Sequence, residues 1–113
     1  MVKTFKIEKR PWGNFKQFVL NEKCTVKILN VKPKQELSLQ LHKEREEEWY
    51  FLTPGIVQLK NKRKKIKRGE VVHIRKNIPH RLIAGSKEAL VLEISFGDFK
   101  ENDEIRLEDK YGR

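Results

Sequence analysis

The stretch Leu37–Gly55, "LSLQLHKEREEEWYFLTPG", decides how this chain is read. Its first half alternates as a strand does. Leu37, Leu39 and Leu41 share one face, and Ser38, Gln40 and His42 share the other. Four residues separate His42 from Glu47, far enough for a bend to return it beside the strand. Either this polar face is simply wet, as in an open antiparallel sheet, or it lines an inward cavity. Far downstream His80 follows "KNIP" at the start of another strand. Gln40, His42, Glu47 and His80 converge on one point only if the sheet closes on itself. Neutral imidazoles, a carboxylate and an amide oxygen suit a borderline divalent ion such as Zn, Mn, Fe, Co or Ni.

The rest of the chain supplies strands for such closure. "FKQFVL", "CTVKILNV", "ELSLQLH", "EWYFL", "GIVQLK", "EVVHI", "HRLIAG" and "ALVLEISF" are short and rich in β-branched, leucine and aromatic residues. Turn material such as "NEK", "KPKQ", "TPG" and "AGSKE" separates them. Within "ALVLEISF", Leu90, Leu92, Ile94 and Phe96 form one face, and Val91, Glu93 and Ser95 the other. The last stretch, Lys100–Arg113, reads as mostly irregular with room for a helical turn. An all-β sandwich or small barrel follows, as one domain over 1–113, because 113 residues leave no room for a second core.

Composition narrows the classes. Charged residues make up 37% of the chain and the net charge is +10, which alone suggests an anionic partner, either nucleic acid or a metabolite. The basic run "KNKRKKIKR", Lys60–Arg68, lacks interleaved aromatics and a binding motif, so it reads as a charged, solvated hairpin in place of a nucleic-acid surface. One cysteine, Cys24, allows no internal disulfide and fits a reducing cytoplasm. The first residues carry charges throughout and no apolar core of a signal peptide, and no run is long enough for a membrane span.

The order of these motifs resembles a known family. "QLHKEREEEWYFLTPG" is similar to the first cupin motif, with Gln40, His42 and Glu47 in ligand positions and Gly55 one residue late. "GEVVHIRKNIPH" resembles the second, opened by Gly69 and carrying His80, with Arg75 and Asn77 where Pro and Gly usually stand. "RPWGNF", "LSLQLH", Arg45–Trp49, "IPHRL" and the ending "DEIRLEDKYGR" resemble type II mannose-6-phosphate isomerases over Arg10–Arg113. Lys43, Glu44 and Glu48 stand where that family usually has further histidines.

The resemblance implies a cupin double-stranded β-helix, a jelly-roll barrel around one metal ion, in a homodimer acting on a small phosphosugar. Its reaction interconverts mannose 6-phosphate and fructose 6-phosphate. A non-catalytic cupin that binds a sugar or sugar nucleotide is the alternative. Glu93, which interrupts an apolar strand at a family glutamate position, is expected as the base, with Glu44 and Glu48 as alternatives. Arg10, Arg45 and Arg106 are expected to grip phosphate, and Trp49 to pack on the sugar.

Overall fold

The computed structural model describes residues 5–112. Met1–Thr4 and Arg113, the ends of the expected domain and of the family resemblance, lie outside the described residues. Among these residues the chain is all β, with eleven strands and no α-helix. Among the described residues no helix is long and apolar enough to cross a membrane.

Two sheets make the body. One has the order β3 (Cys24–Val31), β10 (Ala89–Phe96), β5 (Glu47–Phe51), β8 (Val71–Ile74). The other runs β11 (Ile105–Glu108), β4 (Leu39–Leu41), β9 (His80–Ile83), β6 (Gly55–Leu59), β7 (Lys62–Ile66). From β3 onward the chain changes sheet at almost every connection; only β6 and β7 follow one another in the same sheet. That crossing brings residues distant in sequence face to face across the interior.

The inner faces carry the core. Trp49, Phe51, Val57, Ile74, Leu82 and Val91 are buried to 2% or less, each contributing about 1.5–3 kcal/mol of apolar transfer. β10 is paired along its length, from Ala89↔Val31 to Phe96↔Cys24. Its mixed face, Val91, Glu93 and Ser95, is the one turned inward, across from Phe51, Trp49 and Glu47. The mixed face of β10 is therefore an interior face; on the first stretch His42 is buried and Gln40 shares a row with buried His80, while Leu37 turns to pack on the core.

Backbone constraints explain several motif residues. Gly69 and Asn77 adopt φ of 88° and 65°, a region open to glycine and, among side chains, best tolerated by Asn. That is why Asn77 can replace the motif's usual Gly. A Cβ on Gly55 would sit 3.0 Å from the Phe51 ring, so this position needs glycine for packing even though it falls one residue late.

Three strands depart from the sequence reading. β1 (Lys6–Arg10) pairs with β2 (Gly13–Gln17) in a separate hairpin, docked through Phe5 and Phe18 on Tyr50 with centroids 5.0–5.9 Å apart. Lys60–Arg68 is the charged hairpin expected, with a strand the sequence reading did not single out: Lys60 and Asn61 turn, and β7 pairs with β6 as an edge strand anchored by Ile66. The tail is mostly irregular as read, but Ile105–Glu108 form β11, paired with β4, in place of a helical turn. Edge strands need one paired side only, so β7 and β11 tolerate charges that mask the alternation.

Candidate metal centre

His42 follows β4 in one sheet, Glu47 opens β5 in the other, and His80 opens β9 beside β4. The Asn77 amide donates to the His42 carbonyl at 2.7 Å, tying the two motif segments together. As a result His42, Glu47 and His80 each offer a ligand atom within 4.8 Å of the others, and all three are buried. His42 Nε2 lies 3.6 Å from one Glu47 oxygen, and His80 Nε2 lies 3.8 Å from the second.

Both rings are oriented from behind. His42 donates Nδ1–H to the Asp103 carbonyl at 2.7 Å, and His80 donates Nδ1–H to the Ile78 carbonyl at 2.8 Å. A carbonyl can only accept, so Nδ1 carries a proton on each ring and Nε2 is the atom turned toward Glu47. His80 Nε2 is buried without a hydrogen-bond partner, and a buried orphan of this kind calls for an ion or another donor. Burial lowers the His80 pKa below its ordinary value, which keeps the ring a neutral ligand. For Glu47 burial pushes upward, but His42, Arg45 and His80 outweigh it and hold the carboxyl below its usual value. Two imidazoles presenting Nε2 and an ionised carboxylate fit a divalent ion of the Zn, Mn, Fe, Co or Ni type.

Further groups hold Glu47. Arg45 Nε donates to it at 2.9 Å and Ser95 Oγ at 3.2 Å. The indole N–H of Trp49 is shared between Glu47 at 3.3 Å and Glu93 at 3.2 Å. Arg45 also reaches the Lys100 carbonyl, stacks over Phe99, and places Nη2 3.3 Å from His42 Nε2. An ion on that nitrogen would require the Nη2 contact to loosen. Asp103 adds its carboxylate, which accepts from the Lys43 and Glu44 amides at 2.9 Å each.

The structure brings together some expected site residues and separates others. Gln40 is the register partner of both His80 and Arg106, so the three share one inner row. Its amide nitrogen, in the orientation that satisfies both groups, donates to Glu104 at 2.7 Å, so the converging set is three residues without Gln40. Glu93 adjoins Glu47, and its carboxyl is pushed up to about 7 by burial and then by Glu47. Arg106 pairs with Glu104 at 2.5 Å.

Others stand elsewhere. Glu48 is not at this site: it alternates with Glu47 and joins His73 on the outer face of β5. Glu44 is exposed and paired with Lys100 at 3.1 Å. Arg10 lies on the separate hairpin, paired with Glu8 at 2.6 Å. Arg45 spends its fork on Glu47 and the 100–103 segment, and Trp49 is 1% exposed with its ring edge-on to His80. Neither is an open contact for a sugar phosphate. Sequence reasoning missed Asp103, whose carbonyl and carboxylate meet His42, Lys43 and Glu44 only through the fold, across a separation that no local pattern announces.

Comparison with known proteins bears on this geometry. Residues 1–109 match the family model described as Mannose-6-phosphate isomerase C-terminal. Over 107 residues the chain is 33% identical to the mannose-1-phosphate guanylyltransferase ManC of Salmonella typhimurium, covering 92% of this chain but 22% of that protein. The chain thus spans about a fifth of that relative's length. The capsular polysaccharide assembling protein CapF of Staphylococcus aureus superposes with a TM-score of 0.69 at 17% identity, over 95% of this chain and 33% of that one. A cupin protein from Bacteroides fragilis gives 0.62 at 19% identity, over 72% of each chain. The fold is the cupin double-stranded β-helix.

Proposed function

The chain belongs to the family of mannose-6-phosphate isomerase C-terminal domains, and from that premise we propose that it interconverts mannose 6-phosphate and fructose 6-phosphate with a divalent ion held by His42, Glu47 and His80. The observation that carries this reading is the pair of imidazoles pinned through Nδ1 and aimed through Nε2 at the two oxygens of one carboxylate. A bound ion would supply Lewis-acid stabilisation of the oxygen on which negative charge develops.

The remaining work falls to the chain's own groups. The isomerisation moves a proton between C2 and C1 of the sugar, so one base can remove it and return it. Glu93 is that base: it is interior, adjoins Glu47, and has a carboxyl raised to about 7, so both of its protonation states are accessible near neutral pH. Trp49 donates to Glu93 and Glu47 together and fixes the distance between base and ligand. Arg106, on the inner row with Gln40 and His80, is the phosphate partner; it must exchange Glu104 for the substrate, a trade between two anions.

One observation favours the non-catalytic reading, in which a sugar or sugar nucleotide binds without turnover. Lys43, Glu44 and Glu48 replace histidines expected of the family, and Glu44 and Glu48 point away from the interior. A homodimer remains part of the proposal on family resemblance alone, and a cytoplasmic location on the single cysteine, Cys24. The test is a coupled assay for fructose 6-phosphate on metal-stripped protein with Zn, Mn, Co and Ni returned in turn. Metal-dependent turnover lost in His80→Ala supports the isomerase. Stoichiometric metal binding with no turnover under any ion overturns it in favour of the binding module.

A further inference from the structure

The two sheets do not close at every edge. β7 ends one sheet and β8 ends the other, and between them lies a cavity of about 540 Å³. Its apolar lining is the core residues Val57 and Ile66 together with the half-buried Leu59 and Val72 packed against them. Its rim includes Lys62 and Lys64. These lysines share a face of β7 with the buried Ile66, and their register partners are Leu59 and Val57, so they stand over the apolar floor and not on the outer surface.

We propose that this cavity between β7 and β8 is a binding site for an amphipathic organic anion, a compact apolar body carrying a phosphate or carboxylate group. The volume lies in the range of small-molecule sites, which pair an apolar lining with a few polar groups that fix orientation. The charge selects the head group. Lys62 and Lys64 share the rim with one carboxylate, that of Glu70, which already accepts the Lys67 backbone amide at 2.7 Å, while Arg63 alternates to the other face and donates to Gln58 at 3.1 Å. No ion pair to Lys62 or Lys64 is found among the described residues.

Lysines on an edge strand also guard against strand pairing between molecules. That role accounts for the charges, but it does not account for a cavity with core side chains at its base. The site is separate from the metal centre yet shares walls with it, since Leu59 pairs with His80 and Val72 with Trp49. It stands whether or not the interior turns over a sugar phosphate.

The experiment uses three matched probes on the whole chain: 1-naphthyl phosphate, inorganic phosphate and 1-naphthol. Binding is followed by the methyl NMR signals of Val57, Leu59, Ile66 and Val72. Naphthyl phosphate is expected to shift these signals saturably, with the other two binding at least tenfold more weakly. The Lys62→Thr/Lys64→Thr variant, folded by its own spectrum, should lose about tenfold in affinity, the combined loss of two partly exposed charge contacts. Lys65→Thr/Lys67→Thr removes equal charge elsewhere and should bind as the parent does. Shifts confined to another surface, equal binding of naphthol and naphthyl phosphate, or equal losses in the two double variants would each overturn the proposal.

Discussion

Glu47 and Glu48 are neighbours in the chain, yet each joins a cluster built from the same residue types with opposite geometry. On the inner face of β5, His42 and His80 approach Glu47 from another sheet, each with Nδ1 turned away to a carbonyl. On the outer face, one histidine lies between two carboxylates: His73 places Nε2 3.2 Å from Glu46 and Nδ1 3.6 Å from Glu48. The inner cluster converges several lone pairs on one point. The outer cluster sets a single ring between two carboxylates, with Nε2 within hydrogen-bond reach of Glu46 and Nδ1 without a hydrogen-bond partner, so no two imidazoles converge there. Residue type does not distinguish them; strand alternation and backbone hydrogen bonds do.

The comparison can be broken most directly by removing one carboxylate at a time. Glu47→Gln should weaken divalent-ion binding by more than the ~10–100-fold that loss of an outer partner typically costs. Glu48→Gln should leave it within about twofold, a gap that calorimetric titration of both variants would measure. Equal losses would merge the two clusters into one site.

Arg45 sharpens the inner half of the contrast. Its guanidinium is 6% exposed and bonds a carboxylate that is 1% exposed, and removing one partner of such a pair costs about 3–5 kcal/mol because the other is left uncompensated. Arg45→Met should therefore lower metal-free stability in urea by that amount. Added Zn should restore part of it, since the ion replaces the lost positive charge beside Glu47.

Glu93 gives a pH signature. Its folded pKa, near 7, lies above the ordinary 4.5, so between those values the native state binds more protons than the unfolded chain. Stability of the metal-free protein should then fall as pH rises through pH 4.5–7, by about 3 kcal/mol in all. Glu93→Gln should flatten that slope in denaturation curves taken across the window.

The smallest effect belongs to the outer cluster. Glu48 Oε1 is buried without a partner, and burial raises the Glu48 pKa. Glu48→Gln removes a buried charge and keeps the shape, so thermal unfolding at pH 7 should move by no more than a few degrees, upward if at all.

Much of this was legible in the sequence where one pattern acted alone. β3 and β10 fall on "CTVKILNV" and "ALVLEISF" because both are long, apolar and bounded by turns. The spacing of His42, Glu47 and His80 carried the centre, because ligands must recur at the strand period or after a bend. Gln40 was placed on the right face, but a face does not say which neighbour the amide meets, and Glu104 lies sixty-odd residues away. β7 was hidden by its lysines, which carry no β-forming signal and pair on one side only. Arg45 read as a phosphate grip because a free fork and an occupied one look alike in sequence; only the fold brings Glu47, Lys100 and Asp103 around it.

The central claim is that three residues from two sheets hold one ion. Titration of metal-free protein with Co(II), followed by its visible absorption, tests it most directly. A spectrum that saturates at one equivalent per chain, disappears in His80→Ala and persists in His73→Ala is the predicted result. A spectrum unchanged in His80→Ala, or lost in His73→Ala, would contradict the account by placing the ion elsewhere.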